Sequence, residues 1–383
     1  LNEYLGQVSK KELYEIVSIE DKILKNVTLD TPINELDYLS LAMYKPLFNY
    51  EFKDKIPFNE HTFKLYEYTI SNFIKENNII KNISSFSEIE DNTSIKVQKQ
   101  YELYPYPRWL FSDTYLLKTN MIGFLNSLKI KYSENHQDLY KNKSILIAGC
   151  GTGKEAVEVR SLISDVKITA IDLSKKSLSY AIRKSQQAGQ KDITFLHGDI
   201  LKINDLNEKF DCIMSNGVLH HMNDPILGLA SLSNSLKKNG LIKISLYSKY
   251  ARECLDKFQQ RVNNMEDKND LQSLKDFRNN LIREEGFENE RIQIFSDFYS
   301  LSDFKDLVCH EKEHLFTIEK IKVMLKKLNL KFCGFQDVGG IHDKFIAYFN
   351  SSDQLYNLDY WEIFEKEFPN SFPQMYQFWL QKI

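Results

Sequence analysis

The run Ile145-Leu-Ile-Ala-Gly-Cys-Gly-Thr-Gly-Lys154 constrains this chain more than any other segment. A short apolar strand that ends in alternating glycines and leads into a helix lets the backbone pass close to a ligand, with the N–H groups of the helix start facing it. A dinucleotide-binding turn, G-x-G-x-x-G, wants its third glycine where Lys154 stands. A phosphate-binding P-loop wants a hydroxyl after its Gly-Lys pair, and here Glu155 follows Lys154. Gly149, Gly151 and Gly153 therefore read as a G-x-G-x-G turn for a cofactor without a pyrophosphate. The thiol of Cys150, inside the turn, has no required reaction.

Beyond the turn one theme repeats. From Lys143, short apolar runs alternate with helical stretches, the mark of a parallel α/β sheet. Strands are predicted at 144–148, 167–171, 193–196, 212–215 and 241–246, with helices near 155–164, 176–187 and 225–237. Asp172 ends the second strand, where an acid can accept from both hydroxyls of a ribose. Asp199 follows the third, where it can accept from the exocyclic amine of an adenine packed between Leu173 and Ile200. The fourth leads into Ser215-Asn-Gly-Val-Leu-His-His-Met222, so four strand ends converge on one crevice at the carboxyl edge of the sheet.

Outside this region the patterns differ. Residues 1–95 show apolar positions at helical spacing, as in Phe63-Lys-Leu-Tyr-Glu-Tyr-Thr-Ile70, and read as a helical module ending in the polar linker 84–94. The segment Gln100-Tyr-Glu-Leu-Tyr-Pro-Tyr-Pro-Arg-Trp109 carries two prolines that forbid a continuing helix and impose an extended path. It is either a packing linker or a lid in which Tyr101, Tyr104, Tyr106 and Arg108 fold over the crevice, with Trp109 packing. Residues 251–310 are charged and helical and read as an insertion on the sheet. In 311–350, a helix at 317–328 precedes strands at 330–335 and 344–349, joined by Gly339-Gly340, and 351–383 form a helical tail. The order implies a Rossmann-like α/β core over 96–250, completed by 311–350.

Composition excludes some partners. Fifty basic against 53 acidic residues leave a net charge of −3, which provides no field for nucleic acid or an anionic membrane. No apolar stretch reaches the roughly 20 residues needed to span a bilayer. Five cysteines without CxxC spacing fit a reducing cytoplasm. The first residue is Leu1, which suggests a trimmed chain. His310-Glu-Lys-Glu-His314 matches H-E-x-x-H, but no third ligand at suitable spacing follows, and no metal is expected. His314 and His220 read instead as hydrogen-bonding walls of an acceptor pocket.

Ile-Ala-Gly-Cys-Gly-Thr-Gly, Ile-Asp-Leu-Ser, Gly-Asp-Ile and Gly-Val-Leu-His-His-Met-x-Asp-Pro resemble the successive motifs of class I S-adenosylmethionine-dependent methyltransferases, which have a seven-stranded Rossmann-like sheet. The resemblance implies S-adenosylmethionine as cofactor and S-adenosylhomocysteine as its product. It places the methionine part on Gly149, Gly151 and Gly153, the ribose on Asp172 and the adenine on Asp199. Many members carry an acid just before the first glycine, where this chain has Ala148. The methionine amine must then find another acceptor, such as the backbone carbonyl of Ala148 or Asn216, beside Gly217, while Arg108 can pair with the carboxylate.

The run Gln100–Trp109, with Phe298-Tyr-Ser-Leu-Ser-Asp-Phe-Lys-Asp-Leu307 and Glu313-His-Leu-Phe-Thr317, is similar to a narrower bacterial group, often fused to tetratricopeptide repeats. That group includes rickettsial-type protein-lysine methyltransferases that modify outer-membrane proteins. It implies a lysine acceptor in a protein; because desolvation favours a neutral amine, Tyr101, Tyr104, Tyr106 and Tyr247 read as its lining, with the helical N-terminus and the insertion as the substrate-gripping surface and a homodimer as one arrangement. A small-molecule acceptor and a non-catalytic cofactor-binding dimerisation scaffold remain open alternatives. A nicotinamide oxidoreductase is disfavoured by Lys154.

Overall fold

A computed structural model describes residues 4–57, 59–112, 118–133, 143–268 and 270–383. The chain divides into two compact units, one of Leu1–Asn82 with Lys257–Cys309, the other of Ile83–Asp256 with His310–Ile383. The first unit holds α1 (Lys10–Thr28), α2 (Glu35–Ala42), α3 (Phe63–Tyr66) and α4 (Asn72–Ile80) around Ile23, Tyr38, Leu41, Leu47 and Ile70. A capping box opens α1, with Ser9 and Glu12 each accepting the other's backbone N–H.

In the second unit, α5 (Asn92–Leu103) and α6 (Met121–Ser127) precede β1 (Lys143–Ala148). Next come α7 (Lys154–Leu162), β2 (Val166–Asp172), α8 (Lys175–Gln187), β3 (Ile193–His197), β4 (Phe210–Asn216), α9 (Pro225–Asn234), β5 (Leu236–Tyr247) and α10 (Lys249–Arg252). The chain continues through α11 (Asp256–Asn263), α12 (Leu271–Arg283) and α13 (Leu301–Val308). It then returns to the second unit with α14 (Ile318–Leu328), β6 (Leu330–Phe335), α15 (Ile341–Phe349), α16 (Leu358–Glu367) and β7 (Met375–Lys382).

Among the described residues the strands form one seven-stranded sheet in the order β3-β2-β1-β4-β5-β7-β6. The first five are parallel, and β7 runs antiparallel to both β5 and β6. From β1 the chain crosses first to β2 on one side and later to β4 on the other. The β1/β4 junction is thus the topological switch point at which such sheets bind ligands. Every residue of β1 is buried, as expected for a strand covered on both faces. This is the class I methyltransferase fold, α/β with a mixed seven-stranded sheet.

Three expectations need correction. Residues 344–349 are not a strand but part of α15, which buries Ile341 and Phe345 one helical turn apart and exposes Tyr348. Gly339 and Gly340, both left-handed, start that helix and do not turn a hairpin. The antiparallel partner comes instead from within the expected helical tail, where β7 buries Tyr376, Phe378, Trp379 and Leu380. Lastly, Lys257–Cys309, in which Phe298 and Phe304 meet edge to face at 5.5 Å and the Arg278 guanidinium lies over Phe298, groups with Leu1–Asn82 and not with the unit that holds the sheet.

Candidate active site

The site is built outward from the turn after β1. Gly149 (φ 73°) and Gly151 (φ 52°) are left-handed, a conformation that disfavours any side chain. A Cβ on Gly149 would lie 2.5 Å from a methyl of Val218, in the loop after β4. One on Gly151 would lie 2.7 Å from the Tyr106 carbonyl. The turn is closed by the N–H groups of Gly149 and Cys150, both donating to the Ile171 carbonyl at 2.9 Å. Gly153, also left-handed, starts α7 with no side-chain cap, so the first-turn N–H groups have no side-chain acceptor there. Ala148 is fully buried, and burial pushes the Cys150 thiol well up, away from thiolate reactivity.

Asp172, at the tip of β2, accepts from the Gly151 N–H at 2.7 Å through one oxygen and from the Ser174 N–H at 2.9 Å through the other. Each oxygen retains a lone pair for a further donor. Burial raises this carboxyl to about 6, against those backbone bonds, which favour the charged form. Leu173, next along, is half-buried, and its carbonyl accepts from Gln98 Nε2 at 3.0 Å. Asp199 is buried after β3, accepting from the Leu201 N–H at 2.9 Å, while its own N–H donates to Ser87 Oγ at 3.1 Å. Ile200 is buried beside it.

The sequence pattern gave no sign of the polar residues that fasten this edge. Glu102, on α5, accepts from the N–H groups of Lys175 (2.5 Å) and Lys176 (3.3 Å) and so caps α8. Gln98 also contacts His197 Nε2 at 3.2 Å, and Ser85 bonds the other ring nitrogen at 3.0 Å. The stretch expected as a free linker is thus docked on the sheet edge, where Ser85 bridges His197. Only the place of Glu102 inside the aromatic run, and of Gln98 two residues before it, could have hinted at this.

The aromatic segment begins inside α5, so Tyr101 is helical and Tyr104 is its C-cap, a departure from the extended path expected from Gln100 onward. Beyond it, Thr152 Oγ1 donates to the Pro107 carbonyl and Trp109 Nε1 to the Thr152 carbonyl at 3.1 Å. Trp109 is buried edge-on against Tyr180, whose hydroxyl donates to the Trp109 carbonyl at 2.5 Å. Tyr101, Tyr104 and Tyr106 are half-buried, and Arg108 is exposed.

At the end of β4, Asn216 donates through Nδ2 to Glu155 and accepts at Oδ1 from Ser245 Oγ at 2.5 Å. Lys243 pairs with the same Glu155 at 3.5 Å. The Asn216 side chain is therefore committed on both sides. Gly217 is left-handed, and Val218 leads to the buried His220 and His221. The His220 ring stacks on Tyr247 at 3.8 Å. The Arg252 guanidinium lies 3.8 Å from the centre of the same tyrosine ring and forms a two-bond pair with Glu313. His221 stacks on His310 at 3.7 Å, and His314 Nε2 bonds the Met222 carbonyl at 3.1 Å. Residues 310–314 are not helical, so the H-E-x-x-H pattern does not put both imidazoles on one helix face. Among the described residues no group of three or more ligands suited to a metal ion occurs.

The geometry meets independent similarity at this point. Residues 139–326 match the sequence profile of a family described as a methyltransferase domain. An uncharacterised Synechococcus protein is 26% identical over 285 residues, covering 66% of this chain and 63% of that protein. The release factor glutamine methyltransferase of Flavobacterium psychrophilum is 40% identical over 76 residues, covering 20% of this chain and 26% of that enzyme. The chain spans less than two thirds of the length of either. The structure of PKMT2 from Rickettsia typhi shares the fold, with a TM-score of 0.51 at 16% identity over 72% of this chain and 54% of that one. No helix among the described residues is long and apolar enough to cross a membrane. The glycine cradle and the acid at the tip of β2 both lie within the matched residues, so 139–326 are similar to a methyltransferase domain in a chain that has the class I methyltransferase fold.

Proposed function

We propose that this domain methylates lysine side chains of a protein substrate. The observation that carries the reading is the seating of the tyrosine-rich segment on the glycine turn, through the close approach of Tyr106 to Gly151 and the bond from Thr152 to Pro107. The similarity of that segment to the protein-lysine group supports it. S-adenosylmethionine, when bound, supplies a methyl group on a sulfonium, and the protein's part is to orient and to exclude water.

In this reading Gly149, Gly151 and Gly153 receive the methionine part. Asp172 accepts from the ribose hydroxyls, and Asp199 from the adenine amine, between Leu173 and Ile200. With the Asn216 side chain committed to Glu155 and Ser245, the carbonyls of Ala148 and Asn216 are the acceptors offered to the methionine amine. Arg108, a planar guanidinium, pairs with the carboxylate. Tyr101, Tyr104, Tyr106 and Tyr247 would surround the acceptor amine, and their apolar rings would favour its neutral form, the ammonium proton being lost to solvent before transfer. His314 and His220 form part of the wall.

On the same resemblance, outer-membrane proteins are the first substrates to try, with a homodimer through residues 1–95 and a cytoplasmic location completing the reading. The test is to incubate the protein with methyl-labelled S-adenosylmethionine and a cell extract, hydrolyse the protein fraction and separate its amino acids. Labelled methyl-lysine is expected. Label confined to small molecules, or to a residue other than lysine, overturns the proposal.

A further inference from the structure

The pair His220-His221 ends the loop after β4, and its first ring is fully buried. The main-chain N–H of Tyr247 donates to His220 Nδ1 at 3.3 Å. An imidazole that accepts at Nδ1 carries its single proton on Nε2 when neutral. Neutral is the form the surroundings favour: burial first, then the charges of His221, His310, Arg252 and His314, hold this ring well below the usual histidine range. Nε2 is thus an N–H donor, out of contact with solvent and, among the described residues, without a hydrogen-bond partner.

Three carbonyls of this loop and of the 310–314 segment hold other donors. His220's own carbonyl takes the His314 N–H at 2.8 Å, Met222's takes His314 Nε2 at 3.1 Å, and Lys312's takes His221 Nδ1 at 3.0 Å. The ring is flanked by Tyr247 on one face at 3.8 Å and by the edge of His221 at 4.2 Å. Leaving a buried donor unmet is unfavourable, and His220 sits two residues from Val218, whose methyls lie where a Cβ on Gly149 would stand.

We infer that His220 is a positioning residue of the methyltransferase site, whose Nε2–H donates to a carbonyl or carboxylate oxygen of the bound reactants. The fixed tautomer also means that His220 does not take the proton from the acceptor: its one lone pair, on Nδ1, is held by Tyr247. The oxygen has two sources, the amino-acid end of the cofactor and an acyl or amide oxygen of the substrate. The inference rests on the assignment of the cofactor but not on lysine as acceptor.

The test combines nitrogen NMR of the imidazoles with binding to His220→Phe and His220→Gln, the second of which keeps an N–H donor. The expected spectrum shows Nε2 protonated and Nδ1 not, with the Nε2–H shifted and its exchange slowed by a reactant. If the cofactor supplies the oxygen, His220→Phe weakens S-adenosylhomocysteine about tenfold and leaves 5′-methylthioadenosine, which lacks the amino-acid end, unchanged. If the substrate supplies it, S-adenosylhomocysteine binding is unchanged and the KM of the acceptor rises about tenfold at similar kcat. In either case His220→Gln recovers most of the loss. An Nδ1-protonated ring, an Nε2–H insensitive to both reactants because it holds only a bound water, or equal behaviour of wild type and His220→Phe overturns the inference. The spectrum needs no variant, so failure of a variant to fold leaves it testable. A failed lysine assay leaves the cofactor arm standing.

Discussion

The carbonyl of Tyr106 occupies the space that a Cβ on Gly151 would need, 2.7 Å from the point where that carbon would stand. The aromatic segment and the glycine turn therefore form one surface, and any side chain at 151 must lift one from the other. Gly151→Ala should also meet left-handed strain of about 1–2 kcal/mol. The expected outcome is a loss of S-adenosylhomocysteine affinity of about tenfold or more, read by calorimetry. Gly189→Ala is the control, because Gly189 has φ 73° but nothing within 4 Å of its added carbon. That variant should lower the melting temperature and leave affinity intact.

Asp172 gives a pH dependence of definite sign. Its folded pKa, about 6, lies above the ordinary 3.8 because of burial. Folding thus favours its protonated form. This contribution to stability is full below the ordinary value and is lost as pH rises through about 6. On the proposed contact with the ribose, cofactor affinity should move the other way, since the ionised form is the better acceptor for two hydroxyls. Calorimetric titration with S-adenosylhomocysteine should tighten as pH rises through about 6. In Asp172→Asn that step should vanish and affinity at neutral pH should fall about tenfold.

Arg252 and Glu313 form a pair joined at 2.9 and 2.7 Å, with side chains only 4% and 11% exposed. Removing one partner leaves a charge stranded away from water, a loss of about 3–5 kcal/mol, whereas replacing both with apolar groups can be near neutral. Urea unfolding should show Glu313→Leu and Arg252→Met each strongly destabilised, and the double change Arg252→Met with Glu313→Leu substantially restored. If the double variant is as unstable as the sum of the single ones, the pair is not acting as a unit.

The sequence disclosed most of what lies at the carboxyl edge and little of what braces it. The strands β1, β2, β4 and β5 are legible because burial on both faces demands apolar runs, β3, at the edge, by its place in the alternation with helices, and the turn because only glycine tolerates its approaches. Asp172 and Asp199 are legible by position. Glu102 and Gln98 were not, since a polar residue on a half-buried helix looks the same whether it meets solvent or caps a neighbour. Glu155 was read only as the residue that excludes a P-loop; its hold on Asn216 depends on how β4 lies beside α7's first turn. His310 and His314 carry helical spacing without a helix. The pattern at 344–349 misled because six apolar and polar residues fit both a strand and a helix turn, and only Gly340 as a helix start decides between them.

The end of the chain supplies the remaining expectation. β7 lies between β5 and β6, pairing seven residues of β5 from Leu241 to Tyr247, so it is an interior strand although it comes last in sequence. Its Trp379 is 1% exposed and meets the Phe124 ring edge at 6.1 Å. Deleting 375–383 would leave β5 and β6 each with an unpaired edge and strip the cover from α6. Such edges invite pairing with other chains. The shortened protein should therefore be recovered as aggregate, and Trp379→Ala should fold with a stability loss of about 3–5 kcal/mol by urea denaturation. A soluble deletion variant that still binds S-adenosylhomocysteine would show that β1 to β5 form the site without this strand.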